Sequence, residues 1–313
     1  MKLWFHKHRG LVAVVASFVV ILSVAYVGAC EYFYRVAFIP SEKSFLSTKQ
    51  SASEKAARAW LKRVNHSVWH ERAVGKPSWQ LKAWYVPAAK ATDKTIVVAH
   101  GYMNTHEDMA EYIRMFHEAG YNVLAPDDRG HGASAGNYVG YGWADRRDYL
   151  QWIKQVVRQN GQNSKIGLFG VSMGGATVMY LSGMDLPKQV RSIIEDCGYT
   201  SVDDELSYQA SSMYNLPRWP LVPGVLALAK FHTGVNYAAA SSTQSLAKNK
   251  LPTLFIHGAA DKFVPTKMVR QNYKASAGVK QLWIVPGAGH AASYGKYPKA
   301  YRQRVLKFMG QHL

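Results

Sequence analysis

The sequence predicts an α/β protein, a mostly parallel sheet covered by helices on both faces. Short apolar runs alternate with longer amphipathic stretches along most of the chain, the pattern of strands joined by crossover helices. Apolar residues make up 48% of the 313 positions, ample for a large core. Cys30 and Cys197 are the two cysteines, too few for a disulfide framework or a cysteine-rich metal centre, so packing must supply the stability.

The strands are expected at 80–86, 95–99, 122–125, 165–171, 190–195, 253–257 and 281–285. Runs such as Ile96-Val97-Val98-Ala99 and Ile166-Gly167-Leu168-Phe169 are apolar throughout, as strands covered on both faces are. Helices are expected at 106–119, 142–159, 174–184, 266–277 and 298–311, by their spacing of apolar positions.

Residues 11–29 carry no charge and are long enough, as a helix, to cross a hydrocarbon core of about 30 Å. Lys2, Lys7 and Arg9 precede this segment, whereas Glu31 and Arg35 alone follow closely. The bias assigns residues 1–10 to the cytoplasm and the remainder to the far side of the membrane. A secretory signal has a shorter apolar core, of about 7–15 residues, which favours an uncleaved anchor. Val27-Gly28-Ala29-Cys30 also resembles a bacterial lipobox, and lipidation at Cys30 is the alternative anchorage. Residues 30–78 are expected to connect anchor and domain, with an amphipathic helical pattern over 48–65. Residues 79–313 form the main domain.

The net charge is +18. Lysines and arginines are scattered, with no block and no nucleic-acid motif, so a nucleic-acid partner is not expected. An anchored cationic domain is instead expected to be drawn to anionic envelope components. Between 200 and 250 the strand-helix rhythm stops, and Pro217, Pro220 and Pro223 stand among aromatic and aliphatic side chains. This interval is read as an inserted lid with helices at 203–213 and 225–231. Met213, Tyr214, Leu216, Trp219 and Leu221 are its candidate pocket residues.

The chemistry centres on Gly170-Val171-Ser172-Met173-Gly174, which follows a strand and opens a helix. Such a corner strains the serine's backbone and needs glycine on either side, and it pushes the Ser172 hydroxyl outward. The Met173 amide sits at the helix N-terminus, where unpaired N–H groups favour negative charge. A serine hydroxyl needs a base held in the right tautomer by a carboxylate. Asp261 follows one later strand in His257-Gly258-Ala259-Ala260-Asp261, and His290 follows the next in Pro286-Gly287-Ala288-Gly289-His290. Loops at the carboxyl edge of a parallel sheet can converge. Ser172, Asp261 and His290 are therefore the candidate nucleophile, orienting acid and base.

His100-Gly101-Tyr102-Met103-Asn104, directly after a strand, resembles the His-Gly loop of esterases. Asp127-Asp128-Arg129-Gly130-His131-Gly132 looks like the scaffold loop that accompanies it. With these motifs in this order, the chain resembles the α/β-hydrolase-fold serine hydrolases, of a membrane-anchored bacterial type, from about residue 79 onward. The resemblance implies an eight-stranded sheet, a lid after the sixth strand, and Tyr102 and Met173 as amide donors of an oxyanion hole. It implies a structural role for His100. Asp196 is an alternative acid, His131 a weaker candidate for substrate contact, and His232 a solvated lid residue.

This chemistry needs no cofactor and no metal, and the histidines show no metal-motif spacing. Nor is there a dinucleotide fingerprint. The expected activity is hydrolysis of a small acyl substrate, an ester first. A peptidase, an acyltransferase and an inactive membrane-tethered binding module are the alternatives.

Overall fold

In the computed structural model, which describes residues 9–41 and 50–313, eight strands form one sheet. They are β1 (Ser67–Ala73), β2 (Lys76–Val86), β3 (Lys94–Ala99), β4 (Asn122–Pro126), β5 (Lys165–Val171), β6 (Val190–Asp196), β7 (Thr253–Gly258) and β8 (Lys280–Val285). Their order is β1-β2-β4-β3-β5-β6-β7-β8. Only β2 runs against the rest, pairing antiparallel with both β1 and β4.

Side-chain alternation sorts each central strand between two cores. Ile96, Val98, Val123 and Phe169 pack on one face with Ile113, Phe116, Val305 and Phe308. These partners come from α3 (Ala110–Glu118) and α11 (Pro298–His312). Val97, Leu124, Leu168 and Ile193 pack on the other with Tyr149, Trp152, Ile153 and Val156. Those belong to α4 (Arg146–Asn160), which lies beside α5 (Met173–Leu181). α9 (Lys267–Ala275) covers β7. Each expected helix and strand is present, with ends shifted by a few residues.

The sheet begins earlier than the expected boundary at Trp79. β1 has alternating exposed and half-buried residues, Ser-Val-Trp-His-Glu-Arg-Ala, because it is an edge strand with a single partner. Its apolar signal is accordingly faint. Residues 30–78, expected to be a connection, thus supply β1, the first three residues of β2 and two helical segments. One is α2 (Ala52–Leu61), closed by a Ser51–Glu54 capping box and packed on α3. The other is the end of α1 (Arg9–Phe38), which continues well past Ala29. The start of the amphipathic pattern, residues 48 and 49, lies outside the described residues, as do residues 1–8.

α1 is long and apolar enough to cross a membrane, and its apolar half is exposed. Cys30 lies inside the continuous helix and is 2% exposed. The lid lies between β6 and β7, as α6 (Val202–Tyr214), α7 (Leu221–Thr233), a 3₁₀ turn and the short α8 (Ser242–Leu246). A third core joins it to the last turns of α1 through Cys30, Tyr34, Phe38, Val222, Val225 and Tyr237. The small α10 (Ser293–Lys296) leads into α11.

At the β5–α5 corner, a Cβ built on Gly170 would collide with the Gly174 carbonyl, and one on Gly174 with the Ala99 carbonyl. Gly170→Ala is expected to destabilise the protein by about 1–3 kcal/mol or more, since the obstacle is backbone. Gly295→Ala, where nothing lies within 4 Å, should be neutral or better. Thermal melts of the two variants check this.

Candidate active site

Strand ends at the carboxyl edge of the sheet position every candidate group. Ser172 has φ 57° and ψ −116°, a strained conformation held by the glycine-lined corner and by its own amide, which donates to the Asp196 carbonyl at 2.8 Å. It is 8% exposed. The structure brings Ser172, His290 and Asp261 together. His290 Nε2 lies 2.9 Å from Ser172 Oγ, and its Nδ1 lies 2.8 Å from Asp261 Oδ2. A carboxylate accepts only, so Nδ1 carries the proton and Nε2 accepts from the serine hydroxyl.

Asp261 is fixed from its other side. The amides of Phe263 and Val264 both donate to Oδ1 at 2.9 Å, and His257 Nε2 sits 3.3 Å from Oδ2. Burial alone would raise its pKa. Hydrogen bonds from His257 and His290 outweigh that and hold the carboxyl well below its usual range. His257, which sequence reasoning did not single out, also donates to the Val264 carbonyl at 2.8 Å. Its position at the end of β7, four residues before Asp261, was the available signal.

The alternative acid, Asp196, is buried, and the imidazole is bonded to Asp261 instead. Tyr301 donates to it at 2.8 Å, and burial pushes its pKa up to about 6 despite that bond.

Tyr102 and Met173 flank Ser172. Among the described residues neither amide has a hydrogen-bond acceptor in the protein, so both are unpaired beside the serine. The Tyr102 loop is pinned by two histidines. His100 donates to the Gly101 carbonyl at 2.8 Å and accepts from the Asp128 amide at 2.9 Å. His131 accepts from the Met103 amide at 3.2 Å and donates to the Arg129 carbonyl at 3.0 Å. Burial, with His100 nearby, lowers its pKa to about 3, so it stays neutral and can accept. His131 thus sits under the loop rather than in the cleft. His232 pairs with Glu31 of α1 at 2.9 Å.

Beside Ser172 an apolar cleft of about 840 Å³, open mouth included, is lined by Met213, Tyr214, Leu221, Tyr141, Phe263 and Glu205 among others. Trp219 corrects the expectation: it is 71% exposed and outside the lining. The loop between α6 and α7 turns Leu216 and Leu221 inward against the third core, which leaves Trp219 on the outer side. Three lining residues come from α1, namely Phe33, Val36 and Ala37. Their helical spacing beyond the charged Glu31 was the signal for them.

Cys197, Asp261 and His290 have potential metal-ligand atoms within 4.8 Å of one another. Both Asp261 oxygens and both His290 nitrogens are already engaged, and burial keeps the Cys197 thiol protonated. That donor set does not suit a resident cation.

The family described as serine aminopeptidase, S33, matches residues 90–219. The chain is 30% identical to YqkD of Bacillus subtilis over 231 residues, 74% of this chain and 75% of that protein. It is 26% identical to YfhR of Escherichia coli K12, over 75% and 78% of the two chains. Among solved structures, an esterase of Pyrococcus furiosus superposes with TM-score 0.67 at 21% identity, covering 88% of this chain and 98% of that one. An acylaminoacyl peptidase of Pyrococcus horikoshii gives 0.58 at 18%, covering 82% and 43%.

Glu205 supplies a pH test. Burial pushes its pKa from 4.5 up to about 8, against a hydrogen bond from Gln209. The folded state keeps a proton that the unfolded chain releases above about 4.5, so stability falls as pH rises toward about 8, by up to about 1.4 kcal/mol per pH unit. Thermal melts across that window should show Glu205→Gln losing less stability with rising pH than the parent.

Proposed function

The chain belongs to the α/β-hydrolase family, and we propose that it is a serine hydrolase cleaving an acyl ester through an acyl-enzyme on Ser172. The observation that carries this reading is the hydrogen-bonded run from Ser172 Oγ through His290 to Asp261, beside the unpaired amides of Tyr102 and Met173.

In this reading, Ser172 Oγ attacks the ester carbonyl carbon as its proton passes to His290 Nε2. Asp261 stabilises the imidazolium that forms, and the two amides receive the carbonyl oxygen as it gains charge. His290 then gives the proton to the alkoxide oxygen, and the alcohol leaves. Water attacks the acyl-enzyme, passing a proton to His290, which returns it to Ser172 as the free acid departs. Atoms balance as ester plus water to acid plus alcohol.

The matched family's description favours a second reading, a peptidase that binds a free amino terminus. The cleft is a poor fit to that. Its lining carboxyl, Glu205, is held neutral up to about pH 8 by burial, so the cleft offers no ready anion for an ammonium group. We further propose that α1 spans the membrane with the basic N-terminus in the cytoplasm and the catalytic domain outside.

A fluorophosphonate should label the full-length protein, and Ser172→Ala should abolish labelling and lower ester turnover at least about 10³-fold. Equal labelling of the variant would refute the assignment. p-Nitrophenyl esters should turn over faster than aminoacyl-nitroanilides. The reverse order would favour the peptidase.

A further inference from the structure

The two halves of α1 meet different surroundings. Its apolar half, Leu11 to Val27, is exposed along its length. From Cys30 onward, Cys30, Tyr34 and Phe38 are buried in the core they share with the lid, while Phe33, Val36 and Ala37 form a wall of the cleft beside Ser172. With a rise of about 1.5 Å per residue, Phe33 stands only about 6 Å along the axis from Ala29, where the uncharged run ends. One continuous helix therefore passes from bilayer length to cleft wall within about two turns.

The lid lies at the same level. Tyr26, inside the apolar half, donates to the Pro220 carbonyl at 2.9 Å. Gly224 lets α7 approach α1 so closely that a Cβ there would strike the Tyr26 hydroxyl. Further along, His232 pairs with Glu31 and stacks on Tyr34. α7 is itself apolar, and the lid shows water two large aromatics, Trp219 at 71% and Phe231 at 82% exposure. Aromatic side chains in that position belong at a membrane–water interface. Met213 and Tyr214 both line the cleft and remain well exposed, so they mark its mouth, where Tyr214 meets Phe33 ring to ring at 5.1 Å.

The helix also reaches the catalytic loop. The Ala37 carbonyl, one of the orphan acceptors at the end of α1, receives the hydroxyls of Tyr102 at 2.9 Å and Tyr141 at 3.0 Å. The Phe38 carbonyl accepts from the Val139 amide at 2.7 Å. This end of α1 is a component of the site.

We propose, resting on the serine-hydrolase reading above, that the substrate is a membrane-resident long-chain acyl ester, whose chain enters from the bilayer between Phe33 and the lid. An acyl chain crossing water to a distant cleft loses the burial of every methylene on the way. A cleft abutting the head-group layer spares that loss.

The test uses the full chain reconstituted in phosphatidylcholine vesicles, with water-soluble p-nitrophenyl butyrate and a diacylglycerol carrying a pyrene-labelled long acyl chain. The labelled lipid should be hydrolysed at least about 10-fold faster when it shares the protein's vesicles than when it sits in separate ones. Trp219→Ser combined with Phe231→Ser, both on the outer surface, should slow lipid hydrolysis about 5-fold or more and leave butyrate turnover within about 2-fold. Butyrate cleavage without lipid cleavage would overturn the inference alone. So would equal rates in shared and separate vesicles, or equal loss of both activities in the double variant. Absence of both butyrate turnover and fluorophosphonate labelling would remove the serine-hydrolase reading, and this one with it.

Discussion

Two backbones approach at the β5–α5 corner more closely than any side chain permits. Gly170 faces the Gly174 carbonyl and Gly174 faces the Ala99 carbonyl, so β5, α5 and the end of β3 lock into one block. That contact sets Ser172 at φ 57° and lifts its hydroxyl above the sheet. It also puts the loop after β3 next to the start of α5, which is why Gly101 and Tyr102 lie beside Ser172. The other groups arrive from β7 and β8, neighbours on the same sheet edge. Relaxing this one approach would separate all of them.

Buried acids divide into two kinds around this block. Asp261 stays ionised because two amides and two imidazoles surround it. Glu195 and Glu205 have fewer compensating partners, and burial pushes each up to about 8. The same low-polarity interior therefore keeps one carboxylate charged and its neighbours neutral, according to how many donors each faces. A charged Asp261 is what keeps the His290 proton on Nδ1 and leaves Nε2 free to accept.

Much of this was legible in the sequence because it rests on local patterns. β3 and β5 are apolar on both faces, and Gly-Val-Ser-Met-Gly carries its own steric logic. Asp261 and His290 could be placed because they follow strands directly. What escaped depends on tertiary partners. β1 has one neighbour and a half-polar surface, so its period was weak. Trp219 is apolar by type, but the side a loop residue faces is set by where Leu216 and Leu221 pack, which composition does not encode. Phe33, Val36 and Ala37 fell in the stretch expected only to connect anchor and domain. Their contribution to the cleft exists only because the lid folds back on them, a pairing of residues nearly two hundred positions apart in the case of Tyr26 and Pro220.

The seating of the Ala37 and Phe38 carbonyls has a mechanical side. A domain hung on a slack leader tumbles and offers any face to its surroundings. Here the hydroxyls of Tyr102 and Tyr141 and the Val139 amide fasten the helix end, so the helix axis fixes the heading of the whole globule. Where that axis stands in a lipid sheet, the molecule has one permanent underside. Encounters with a reactant held in that same sheet would then scale with its amount per unit of area, and diluting the surrounding water would leave them unchanged.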